Sequence, residues 1–222
     1  SWSTGLGAVI PVAALLAYNV LTSGHVFHPA YDHLYQLEAR AYTSLGYNPA
    51  WAAEDPRYLP QNLRIMFLSG PDILPVRERD GLGFRDRPLC TEPGATRGLF
   101  DADCPLALPV DVGMSVILAS PALLLLVPAL GRLRRRRLVS GAALAIILIS
   151  VANLMHFSQG WVQFGYRFSN DVLPFAMVLV ALGFERLADT GRRWAMPLGI
   201  VLIGISIAVN AWGVAWSNIL GW

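Results

Sequence analysis

Five stretches of this chain are each long and apolar enough to cross a lipid bilayer, and they constrain its fold more than any other feature. They run over residues 5–22, 110–130, 138–157, 164–184 and 196–216. The hydrocarbon core of a bilayer is about 30 Å thick and takes about 20 helical residues. Only helices and closed barrels satisfy their own backbone groups inside it. The apolar runs here are continuous and do not alternate, so they predict helices. Composition agrees: 55% of residues are hydrophobic and only 14% charged, where a soluble domain carries nearer a quarter charged. The expected fold class is an all-α membrane protein, with about five transmembrane helices plus a long extracytoplasmic loop carrying short amphipathic surface helices. Residues 1–222 read as a single membrane domain.

Orientation follows from arginine placement, because cytoplasmic loops carry the excess of basic residues. All 17 basic residues are Arg, and five of them crowd into 131–137. That turn is expected in the cytoplasm, together with 185–195. The long segment 23–109 is then extracytoplasmic, and Trp212, Trp216 and Trp222 suit an aromatic belt at the outer interface. The expected location is the plasma (inner) membrane, with several passes. Basic residues at helix ends, without a basic face interleaved with aromatics, argue against a nucleic-acid partner.

The segment 23–109 keeps many aromatics and is too varied for a linker. Leu34, Leu37, Ala41 and Leu45 fall at helical spacing, as do Leu59, Leu63, Met66 and Phe67, with Pro60 suited to a first turn. Both predict short helices on the membrane surface. Residues 71–109 are rich in Pro, Gly and Asp and predict irregular structure. Cys90 and Cys104, the only cysteines, lie where disulfides form. A bridge closing a loop of about 15 residues is worth about 3 kcal/mol. His25, His28 and His33, near Asp32, match no metal-ligand spacing with a physical rationale, so no metal and no cofactor is expected. Pro121 and Pro128 in the second window predict kinks set by packing.

The fourth window is the awkward one. Its clean apolar run, 172–184, is too short to cross, so the helix would have to extend back through Phe164, Tyr166 and Arg167. Arg167 and Asp171 would then enter the membrane. An ionisable group there costs about 2.5 to 3.5 kcal/mol at a helix centre and by default raises a functional hypothesis. A guanidinium presents a fork suited to two phosphate oxygens, and at the outer surface such a phosphate belongs to a lipid. The residues also admit a plain ion pair between Arg167 and Asp171, one helical turn apart. His156, at the outer end of the third window, either faces the same cleft as Tyr166 and Arg167 or is an interfacial residue with a satisfied ring.

The order of these features resembles the C-terminal half of polytopic GT-C-fold glycosyltransferases, most closely the bacterial relatives of protein O-mannosyltransferases and lipid-A sugar transferases. The likeness rests on Tyr18-Asn19 before the loop from Gly24 to Tyr31, on Tyr58-Leu59-Pro60-Gln61-Asn62-Leu63, on Ser120-Pro121-Ala122-Leu123-Leu124 ahead of a basic turn, and on Trp161 with Gly165-Tyr166-Arg167-Phe168 and Pro174. Ala30 departs from the pattern, where a Gly before Tyr31 is usual. The resemblance implies transfer of a sugar from a polyprenyl-phosphate donor to a lipid, glycan or protein acceptor at the extracytoplasmic face. It implies that Tyr166 and Arg167 hold the donor phosphate. We expect Asp171 and His156 beside them in the substrate-binding site. The family's acidic catalytic residues lie in its first outside loop. The chain opens at Ser1 without Met, so the start of the protein is expected upstream and those acids with it. The catalytic residues therefore stay unassigned, and these 222 residues alone are expected to be inactive. The rival reading is a non-enzymatic membrane protein of lipid-glycan transport or assembly.

Overall fold

The computed structural model describes residues 2–26, 48, 51–78, 87–157 and 162–222, with side chains in the first helix described from residue 9. Most of this is helical: α1 (Trp2–Ser23), α2 (Leu59–Leu68), α3 (Val116–Ala119), α4 (Leu126–Leu130), α5 (Arg137–Leu154), α6 (Leu173–Ala188) and α7 (Ala195–Leu220). Two of these, α5 and α7, are long and apolar enough to cross a membrane. Only 22% of the most apolar window of α5 is buried, and 11% of that of α7. A core helix of a soluble protein would be mostly covered, so these are large apolar surfaces without a protein cover among the described residues. The bundle closes where Ala129 of α4, Val139, Ala142 and Ala143 of α5, and Leu179 of α6 meet. Small residues there let the backbones approach.

The window 110–130 differs from the continuous helix expected of it. Its start forms strand β5 (Val112–Met114), and its helix is broken into α3, a 3₁₀ segment Pro121–Leu125 and α4. The break is at Ser120, whose backbone (φ −140°, ψ 74°) leaves the helical region. A residue before proline is pushed out of that region, and Pro121 has no N–H to donate. The freed groups find partners on α7. Asn210 donates to the Ala119 carbonyl at 2.8 Å, and the Ala122 N–H donates to Ser206 Oγ at 2.9 Å. Ser206 and Asn210 are four apart and share one face of α7.

The window 164–184 differs in the same way. Residues Gln163–Gly165 form strand β6, Arg167–Val172 form a 3₁₀ turn, and the α-helix starts only at Leu173. Strand β6 pairs in parallel with β5, Val112 opposite Gln163 and Met114 opposite Gly165. Gly113 has φ +100°, and a Cβ on it would meet Gln163 Nε2 at 2.9 Å. That position requires glycine on both counts.

Residues 71–78 and 87–109, the described parts of the segment 71–109 expected to be irregular, form a small cross-linked cover. Strand β1 (Asp72–Ile73) pairs antiparallel with β4 (Ala107–Leu108), and β2 (Arg77–Glu78) pairs with β3 (Arg87–Pro88). Cys90 and Cys104 are joined in a disulfide. Arg87 bridges Glu78 at 2.9 Å and Asp103 at 3.0 Å. Trp216 of α7, expected in an interfacial belt, is instead fully buried beneath this cover with Leu89 and Leu108. Its indole N–H donates to the Leu99 carbonyl at 3.2 Å. A Trp needs both a large apolar contact and an acceptor, and the cover supplies both. Trp222 stays exposed.

Helix α2 forms where its pattern predicts, with Pro60 in its first turn, but it turns a different face inward. It buries Asn62, Ile65 and Met66, while Leu63 and Phe67 are 42% and 46% exposed. The reason is Asn62, whose amide donates to the carbonyls of Leu154 (2.9 Å) and His156 (2.7 Å). These lie at the C-terminal end of α5, where carbonyls lack partners within the helix. Asn62→Leu keeps the volume and leaves both carbonyls without this donor. The expected cost is about 1–3 kcal/mol, read as a lowered midpoint of thermal unfolding in detergent. An unchanged midpoint would show that water serves these carbonyls instead. The stretch holding Leu34, Leu37, Ala41 and Leu45 lies outside the described residues.

Candidate functional site

The end of α5, strand β6 and the 3₁₀ turn Arg167–Val172 border a cleft of about 690 Å³. Its walls are apolar and come from several elements: Met66 and Phe67 of α2, Val116 of α3, Ile147 of α5, Leu173 and Ala176 of α6. Polar side chains also line it: Gln163, Arg167, Ser169 and Asn170 near the 3₁₀ turn, with Ser120, Ser150 and Asn210.

Gln163 sets the start of this turn. Its side chain is buried, and its Nε2 donates to the Val112 carbonyl at 2.9 Å while its Oε1 accepts the Arg167 N–H at 2.8 Å. The amide thus holds β5 and the start of the 3₁₀ turn together. Arg167 is exposed, and its guanidinium makes no ion pair or hydrogen bond among the described residues. Tyr166 beside it is 2% exposed, packed with Ile65, Met66, Val116 and Leu154. Its hydroxyl is buried without a hydrogen-bond partner among the described residues.

The ion pair between Arg167 and Asp171 is not present. Asp171 Oδ2 instead accepts from Asn153 Nδ2 of α5 at 2.8 Å, and the same amide donates to the Phe168 carbonyl at 3.2 Å. The cause is local geometry. In an α-helix residues four apart lie roughly 40° from eclipsed, but with three residues per turn they are roughly 120° apart. Asp171 therefore turns toward α5 and does not line the cleft.

His156 does not line it either. It lies past the end of α5, with Nδ1 3.2 Å from Glu54 Oε1. Its ring sits edge-on to Phe157 and Phe168, with centroids at 4.8 and 5.5 Å. Burial pushes the imidazole pKa down, against the opposing pull of Glu54. Backbone bonds tie the two segments, from Asp55 N–H to the Met155 carbonyl and from Phe157 N–H to the Ala53 carbonyl, each at 2.8 Å. Asp55 accepts from the Arg57 guanidinium and backbone N–H, which hold its carboxyl at about 2. The Arg57 guanidinium also stacks on Trp51, 4.1 Å from the ring centroid. This cluster is a structural clamp that seats the loop on the end of α5.

The structure thus brings Tyr166 and Arg167 to one cleft and places His156 and Asp171 behind it, each held by another partner. Reasoning from charge passed over the amides Asn62, Asn153, Gln163 and Asn210. The available signal was a lone Asn inside an apolar run, as at Asn153 and Asn210, because an uncharged amide there must also find a partner. Of the histidine cluster only His25 is described, exposed just past α1, while His28, His33 and Asp32 lie outside the described residues. No group of three metal-ligating side chains occurs among the described residues. No protein-family model matches the chain, and neither a curated protein nor a solved structure matches it.

Proposed function

We propose that this chain is part of an inner-membrane glycosyltransferase that moves a sugar from a polyprenyl-phosphate donor to an acceptor at the extracytoplasmic face. In this reading α1, the broken segment 116–130 and α6 join α5 and α7 as the five passes. The carrying observation is the cleft, with apolar walls for the prenyl chain and Arg167 in its lining, whose guanidinium has no ion pair or hydrogen bond among the described residues. During transfer the bond from the anomeric carbon to the phosphate oxygen breaks. A bond to the acceptor oxygen forms, and the acceptor proton passes to a base. Charge grows on the departing prenyl phosphate, and a positioned guanidinium stabilises it more as the bond breaks. The Tyr166 hydroxyl is a second donor without an acceptor among the described residues.

One observation favours the non-enzymatic reading, a lipid-glycan carrier: no carboxylate is among the described residues lining the cleft. Both readings require the lipid phosphate at Arg167, and only one requires turnover. Titrating a polyprenyl-phosphate sugar into the protein in nanodiscs tests the shared part. Arg167→Ala is expected to weaken binding about 10- to 100-fold, since a hydrogen bond to a charged group is worth about 1.5–3 kcal/mol. Equal binding by wild type and variant would remove the phosphate from Arg167. Binding without sugar transfer in the full-length protein would favour the carrier.

A further inference from the structure

A second groove lies on the outward surface of α5 and α6. It has a volume of about 490 Å³ and is walled by Leu138, Ala142, Phe175 and Val178, with Arg137 at one end. Its residues are distinct from those of the cleft. We infer that this groove holds an acyl chain of an anionic phospholipid of the cytoplasmic leaflet, with the lipid phosphate against Arg137. The inference rests on the membrane reading alone and is independent of any transferase activity.

Three observations carry it. First, the groove is open: a Cβ on Gly141 would meet nothing within 4 Å, and Leu138 is 60% exposed. Second, its charged end has cations to spare. Arg134 through Arg137 are all exposed, and none makes a side-chain ion pair or hydrogen bond among the described residues. Nearby arginines are already engaged. Arg132 faces Glu185 at 3.9 Å and Asp189 at 3.6 Å, and Arg186 donates to the Pro128 carbonyl at 2.8 Å. Third, the pattern matches the ligand. Basic sites between helices at the cytoplasmic surface select anionic headgroups, and the guanidinium fork fits phosphate oxygens. The positive-inside rule accounts for the arginines but not for an apolar groove running on from one of them. A protein helix seated there would place apolar surface against Arg137, whose guanidinium has no partner among the described residues, whereas a phosphate offsets its charge.

Native mass spectrometry of the full chain, released from micelles holding equal phosphatidylglycerol and phosphatidylcholine with identical acyl chains, tests this. The anionic lipid is expected to be retained about fivefold over the zwitterionic one, the ratio given by about 1 kcal/mol for one arginine near the surface. Arg137→Gln should lower the preference for the anionic lipid, with Arg134 through Arg136 keeping a remainder. Gly141→Leu places a side chain in the groove, where a Cβ meets nothing within 4 Å, and raises helix propensity. It should cut retention of both lipids about fivefold while the thermal midpoint stays at or above that of the wild type. Equal retention by the wild type overturns the inference, and so does unchanged retention in Gly141→Leu or in Arg137→Gln. Displacement of the lipid by millimolar inorganic phosphate also overturns it, because the site would then hold a phosphate and not a lipid.

Discussion

Trp216→Ala is expected to destabilise the protein by about 3–5 kcal/mol, the range for truncating a buried aromatic. The indole is fully buried, packed on Leu89 and Leu108 and flanked by Trp212 and Leu220. Truncation opens a cavity and orphans the Leu99 carbonyl that now accepts the indole N–H. The loss falls where the disulfide-bridged cover sits on the end of α7, so the cover should come free before the helices separate. Limited trypsin digestion reads this as faster cleavage after Arg97, and thermal unfolding in detergent reads the total cost. Trp216→Phe keeps most of the area and loses the donor, so it should cost nearer 1 kcal/mol. Equal behaviour of the two variants would mean that the cover is held by its own strands and disulfide, not by Trp216.

Gly183→Leu is expected to cost about 3 kcal/mol or more, at the upper end for overpacking. A Cβ at Gly183 would fall on the carbonyl of Leu125, with the backbone of Ala129 also close. The obstacle is main chain, so no rotamer change relieves it. Gly183→Ala should already lower the thermal midpoint measurably. Gly204→Ala is the control, because its Cβ meets nothing within 4 Å and the exchange should gain helix propensity. Both variants can be read by the midpoint and by the yield of monodisperse protein in detergent. If Gly183→Ala matches Gly204→Ala, α6 does not lie against the 3₁₀ segment as closely as described here.

A contact with α7 explains how the broken segment survives among apolar helices. Pro121 interrupts the helix, and the exposed carbonyl and N–H are taken by Asn210 and Ser206 across the gap. Without those side chains each unmet group would carry a desolvation cost of about 1–3 kcal/mol. The sequence shows Pro121 and predicts a kink. It does not show that two polar residues 84 and 91 positions later complete the hydrogen bonding.

The candidate site shows the same division. Tyr166 and Arg167 stand out in sequence because an ionisable group next to an apolar run needs explaining. The fate of Asp171 does not, since pairing at four residues assumes an α-helix and the chain here is 3₁₀. Likewise the strands 112–114 and 163–165 are three residues each and partner one another across about 50 positions. Three residues carry no measurable alternation, and their β geometry is imposed by the partner.

What the sequence determined by itself is therefore what depends on long local averages. Apolar runs specify the helices α1, α5 and α7, and the basic turns at 131–137 and 185–193 are brought to one end, where Arg132 meets Glu185 and Asp189. Only the tertiary structure decided the broken segment, the β5–β6 pair, the buried Trp216 and the amide bonds of Asn62, Asn153, Gln163 and Asn210. Each of these is settled by a single polar group finding its one available partner far along the chain. Such pairings are specified by geometry in space, and no periodicity in the sequence records them.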